Sequence, residues 1–194
     1  MKATEHSRGI YQSLISKNQE CFCMDFNPTS TRYPDMLVQS SFDREVKYLK
    51  ALSKYAWSPE VTNIDYTSRK IYFKWYGNTC EDRLPEDFEI QLEQIVSDLH
   101  SEGIYKPSFY PKYFYVDQNN CIHTYTFYSA SDYSEQPIDI EFYRPILNHD
   151  RLAIVEKLAP DGKLDVKLLI EQAFNNYIKW PSDILPKIYE RIYG

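Results

Sequence analysis

The chain has 194 residues, 43% of them hydrophobic, and includes 18 tyrosines. That length suits one domain or two small lobes sharing a cleft, and the composition excludes a disordered chain. A net charge of −6 with scattered basic residues gives no footprint for nucleic acid, and no apolar run is long enough for a signal peptide or a membrane span. The expectation is a cytoplasmic protein with no membrane partner.

Met1 to Gly9 is polar and charged and is expected to be loosely held. Ile10–Ser16 and Glu20–Phe26 read as two strands with Lys17-Asn18-Gln19 as their turn. Cys21 and Cys23 lie on the second strand, two positions apart, where a bridge between them would be distorted. With Cys80 and Cys121 they show no metal-ligand spacing and are expected to be small apolar residues in a reducing compartment. The four histidines, His6, His100, His123 and His149, likewise lack the spacing of a ligand pair.

Asn27–Met36 has the Pro, Ser, Thr and Asn content of a loop. Ser40 or Ser41 can cap a helix over Phe42–Tyr55, whose apolar stripe runs through Phe42, Val46 and Leu49. Val61–Tyr66 and Lys70–Trp75 form the next hairpin, turning at Thr67-Ser68-Arg69. After Leu84-Pro85 a second helix, Phe88–Glu102, carries Phe88, Leu92, Ile95, Val96 and Leu99 on one predicted core face, and Gly103 stands where a left-handed C-cap belongs.

Tyr113–Val116 and Ile122–Phe127 alternate around Asp117-Gln118-Asn119-Asn120 and predict a hairpin. Beyond Tyr128, helical spacing returns in Arg151–Leu158 and Asp165–Trp180. Pro181 and Pro186 punctuate a last short helix ending near Tyr193.

The order of these pieces resembles the catalytic segment of the protein-kinase-like fold. Leu99-His100 and Gly103-Ile104 are similar to the end of the kinase helix, followed by a loop, a strand, a turn with Asp and Asn, and a strand reaching Phe. The family's His-Arg-Asp then falls on Lys106-Pro107-Ser108, its metal-binding Asn on Tyr113, and its Asp-Phe-Gly on Thr126-Phe127-Tyr128. The resemblance extends back less distinctly to Ile10. Asp43-Arg44-Glu45 looks like the regulatory helix, with Glu45 as its carboxylate. Asp25 or Met24 stands where the third strand of a kinase carries its lysine. Trp75, Tyr76 and Gly77 resemble the hinge between the lobes. No glycine-rich loop precedes the strands, since Gly9 is the only glycine before Gly77.

The resemblance implies an α+β, two-lobe fold: a small antiparallel-sheet lobe with one helix over residues 1–84, and a shortened, mainly helical lobe over 85–194. It also implies that the kinase reaction is lost. Kinases hold magnesium with the Asp of Asp-Phe-Gly and the loop Asn, and orient the acceptor hydroxyl with the loop Asp. Ser108, Tyr113 and Thr126 carry no negative charge at neutral pH. The expected role is a catalytically inactive, pseudokinase-like binding or regulatory module with a protein partner and no cofactor, binding neither ATP nor magnesium.

Six positions keep a second reading open. Glu45 is either the regulatory carboxylate or an ordinary solvated or arginine-paired helix residue. Lys106 either holds an anion beside the cleft or is a solvated loop charge. Asp132, Glu135, Asp139 and Glu141 are either a solvated acidic stretch or a displaced metal site, which would make the chain an atypical phosphotransferase. The Phe and Tyr residues between Tyr105 and Tyr128 are expected to fill part of the room that a nucleotide would occupy.

Overall fold

The structure is a computed structural model that describes residues 2–3, 10–15, 21–27, 33–106, 109–132, 138–139, 141, 149–165, 168, 180 and 184–193. Its architecture is mixed α+β, with four α-helices and several small sheets among the described residues. The chain divides into two compact units, Met1–Asn78 with Tyr115–Tyr128, and Thr79–Phe114 with Ser129–Gly194. The first unit thus takes in residues 115–128 as well as the start of the chain.

The first unit is built on a five-stranded sheet. Its strands are β1 (Lys2–Ala3), β2 (Gln12–Ile15), β3 (Cys21–Asp25), β4 (Val61–Asp65) and β5 (Lys70–Lys74), in the order β1-β2-β3-β5-β4 with antiparallel pairings. The β3–β5 register sets Phe22 opposite Phe73, Met24 opposite Ile71 and Asp25 opposite Lys70. Phe22, Met24, Ile71 and Phe73 are all buried. Alternation in β5 puts Ile71 and Phe73 on the inner face and leaves Tyr72 half-buried on the other.

Helix α1 spans Asp35–Leu52, which corrects the expected start at Phe42. Pro34, extended at φ −56° and ψ 142°, stands at the N-cap, and its carbonyl accepts the amides of Leu37 and Val38. Asp35 then places a negative charge in the first turn, where the helix dipole favours one. Ser40 and Ser41 are therefore interior residues; the Ser40 hydroxyl donates back to the Leu37 carbonyl at 3.0 Å. The buried stripe of α1 is Val38, Ser41, Phe42, Glu45, Val46, Tyr48, Leu49 and Leu52. Phe42 meets Phe26 edge to face at 5.7 Å, and Tyr48 meets Phe127 at 6.3 Å.

After the short strand β6 (Asn78–Thr79) the chain enters the second unit with α2 (Phe88–Ser101). Leu92, Ile95, Val96 and Leu99 are buried, as the sequence periodicity predicts. Phe88 is the exception: it is half-buried, with its ring stacked on Trp180 at 6.2 Å. Gly103 adopts φ +67° just past the helix, and its amide donates to the His100 carbonyl at 2.9 Å.

Strand β7 (Ile104–Tyr105) and a single 3-10 turn, Pro111–Tyr113, lead to β8 (Phe114–Val116), after which comes β9 (Ile122–Thr124). The expected hairpin turn is present. Asp117 accepts the amides of Asn119 and Cys121, each at 2.8 Å, and Asn120 takes φ +63°, a conformation that asparagine tolerates. The second strand stops at Thr124, however, and does not run on to Phe127. Thr126 turns to φ +80° and leads the backbone out of the strand.

In the second unit β7 pairs antiparallel with β10 (Ser131–Asp132), and β11 (Ile138–Asp139) pairs with β12 (Lys163–Leu164). Helix α3 (His149–Leu158) lies between β11 and β12 in sequence, and α4 (Ile184–Tyr193) packs against α2, where Arg191 meets Glu93 at 2.9 Å. Pro186 sits in the first turn of α4, where its missing N–H costs no helix bond. Most of the helix expected over 165–180 lies outside the described residues.

Candidate functional site

Glu45 is the fully buried charged residue among the described residues of the first unit, set in the middle of the apolar stripe of α1. A carboxylate taken out of water is costly unless hydrogen bonds replace its hydration. Here they do. One carboxylate oxygen accepts the Thr126 amide at 2.9 Å, and the other accepts the amides of Phe127 and of Tyr128, the latter at 2.7 Å. Bonds from backbone amides to an ionised acceptor are the strong class. Consecutive amides converging on one point form an anion-binding concavity.

The backbone pays for this convergence at Thr126. A β-branched residue at φ +80° is an outlier, because its side chain crowds the carbonyl there. On either side the segment is held by rings: Phe127 is buried against Tyr48, and Tyr128 meets Tyr11 edge to face at 5.7 Å. Burial of Glu45 overturns the alternative of a solvated helix residue.

Asp25, one of the two residues that the resemblance offers for the kinase lysine, forms an ion pair with Lys70 across the β3–β5 ladder at 3.4 Å. The Asp25 carboxylate holds the Lys70 pKa above the ordinary lysine value, against the opposing effect of partial burial. Asp25 also accepts the Asn27 amide at 2.9 Å. Met24 beside it is fully buried.

Trp75 and Tyr76 border a small aromatic pocket in the first unit, with Phe22, Phe73, Tyr115, His123 and Tyr125 around it. Trp75 stacks on Phe22 at 6.0 Å and meets Tyr115 edge-on at 5.2 Å. Tyr76 lies flat on His123, with ring centroids 4.2 Å apart, and its hydroxyl accepts the Glu60 amide at 2.9 Å. The Tyr115 and Tyr125 hydroxyls hydrogen-bond to each other. These rings leave about 10 Å³, room for one water at most. Gly77 follows at φ +95°, exposed, with open space where a side chain would project.

The remaining positions belong to the second unit. Lys106 is fully buried, its Nζ 5.5 Å from the ring centroids of both Phe109 and Phe114. It is not the solvated loop charge that its sequence setting allowed. Tyr113 ends the 3-10 turn, half-buried, with its ring edge-on to Tyr110 at 5.9 Å. Ser108 and Glu135 lie outside the described residues. Asp132 is half-buried in β10 opposite Ile104, Asp139 pairs with Lys163 in register, and Glu141 is exposed. Among the described residues, no group of three or more His, Cys, Asp or Glu side chains is placed to hold a metal ion.

Two features escaped the sequence reading. The capture of Glu45 by the 126–128 backbone has no local signal, because its partners are 81 to 83 positions away. The contact of His123 Nε2 with Asp117 Oδ2 at 3.4 Å closes the mouth of the β8–β9 turn, and an Asp at a turn with a His on the return strand is a pattern that could have suggested it. Comparison of the sequence with protein-family models and with curated proteins gives no match.

Proposed function

We propose that this chain is a catalytically inactive, kinase-like protein that works as a binding or regulatory module through a protein partner. The observation that supports this reading is the engagement of Glu45. In the kinase frame its carboxylate would hold the lysine of the third strand, which in turn holds phosphate. In this chain that carboxylate is bound by the backbone of Thr126–Tyr128, and the strand position carries Met24 or Asp25, neither of them a lysine, with Asp25 itself paired with Lys70. A carboxylate there repels a phosphate. Tyr113 and Thr126, standing where an amide and a carboxylate are needed, supply no anionic ligand for a hard cation.

The test is phosphoryl transfer and nucleotide binding by the full chain. Labelled ATP with magnesium or manganese and general acceptors should give no product, and millimolar ATP should leave the melting temperature almost unchanged, since only a ligand that binds the folded state raises it. A labelled product that disappears in Asp132→Ala or Asp139→Ala would overturn the proposal in favour of an atypical phosphotransferase using those carboxylates.

A further inference from the structure

The amides of Thr126, Phe127 and Tyr128 have the form of a receptor, and Glu45 has the form of its ligand. The three donors come from consecutive residues and reach both oxygens of one carboxylate. The site is fully enclosed around Glu45 and Thr126. Its shape is set by a backbone conformation that a threonine rarely takes. Such a conformation persists only where the surroundings over-determine it, and the bound carboxylate is the group that all three amides share.

We propose that Thr126–Tyr128 is a carboxylate-binding site filled from within the chain by Glu45, and that a free carboxylate of the acetate class occupies it when that side chain is shortened. The atoms match. Glu45→Ala keeps Cβ and removes one methylene and the carboxylate, which together are the heavy atoms of acetate. The vacated space is then enclosed, lined by amide donors and of the size of the ion. Acetate there restores the acceptor that the buried amides have lost. The inference concerns the backbone cradle alone and stands whether or not the chain is kinase-like.

The experiment is a urea titration of Glu45→Ala in sodium acetate, with sodium chloride and acetamide as matched controls. Binding to the folded state alone raises its stability with a saturable dependence, about elevenfold in the folded-to-unfolded ratio at ten times the dissociation constant. The expected result is that gain in acetate only, smaller with formate, absent in the wild type and absent in Leu99→Ala, a variant weakened elsewhere. Equal gains in acetate and acetamide, or in Glu45→Ala and Leu99→Ala, would overturn the proposal, because a general solute effect would explain both. If Glu45→Ala is unfolded in chloride, recovery of the folded fraction by acetate supports the site and no recovery overturns it. Glu45→Gln gives an independent reading. Its amide group turns its oxygen to the Phe127 and Tyr128 amides and sets its own N–H against that of Thr126, so hydrogen exchange at Thr126 should quicken. Unchanged exchange there would also overturn the proposal.

Discussion

His123 Nε2 stands 3.4 Å from Asp117 Oδ2 across the β8–β9 turn, and the imidazole is sandwiched against the flat face of Tyr76. Burial raises the Asp117 pKa, but the amides of Cys121 and Asn119 and the His123 ring together outweigh it and hold the value below the usual aspartate. A carboxylate whose folded pKa is depressed adds stability above its unfolded pKa and loses it as the pH falls through the folded one. Asp117→Asn should therefore lower the urea midpoint at neutral pH, and the gap to the wild type should close below about pH 4. A gap of constant size across that range would show that the carboxylate charge contributes nothing.

Trp180 ties the second unit together at one point. Its indole Nε1 donates to the Phe109 carbonyl at 2.8 Å, while its ring stacks on Phe88 and meets Phe114 edge-on at 5.3 Å. Trp180→Phe keeps a ring but removes the donor and leaves a buried carbonyl facing an apolar edge. The expected cost is about 1–3 kcal/mol, read as a lower urea midpoint. No change in midpoint would mean that the carbonyl finds water instead.

The contrast between α2 and the 126–128 segment explains what the sequence could show. Leu92, Ile95, Val96 and Leu99 repeat at helical spacing with Gly103 after them, so periodicity and cap are both local and both legible. The start of α1 was harder because Pro34-Asp35 lies in a polar stretch that reads as loop, while the Ser40-Ser41 pair imitates a cap. Thr126 could not be read at all. Bulky residues continue through Tyr125 and Phe127 as a strand would, and the chain leaves the strand where Glu45 draws three amides to itself. That is a tertiary contact overriding a local pattern. Lys106 shows the same limit: a lysine before a proline reads as solvated, yet the rings of Phe109 and Phe114 lie over a fully buried side chain.

Leu99 gives a direct measure of the α2 core. It is fully buried near the end of a stripe whose other members are equally enclosed. Leu99→Ala should cost about 2–5 kcal/mol, the range for a leucine removed from a core that does not collapse around the gap. The check is the urea midpoint at an unchanged slope. A negligible shift would place the stripe of α2 outside the load of the second unit.

The cysteines separate into reactive and protected thiols, and the separation follows burial. No disulfide joins them; Cys23 and Cys80 are buried, Cys21 is half-buried and Cys121 is exposed. Burial is the leading cause that pushes Cys23 up to about 12, with the Asp25 charge adding to it, and burial alone pushes Cys80 up to about 12. The thiolate is the nucleophile, so at pH 8 these two are protected both by lack of access and by lack of ionisation. Cys21 is also raised by burial, to a lesser degree. A disulfide reagent added to the folded protein should therefore consume Cys121 rapidly and Cys21 more slowly, leaving Cys23 and Cys80 until urea unfolds the chain. In Cys121→Ser the fast phase should vanish while the total in urea falls from four thiols to three. A fast phase that survives both Cys121→Ser and Cys21→Ser would mean that Cys23 or Cys80 opens to solvent without global unfolding, and the sheet or the second-unit core that covers it would then be the part of the protein that breathes.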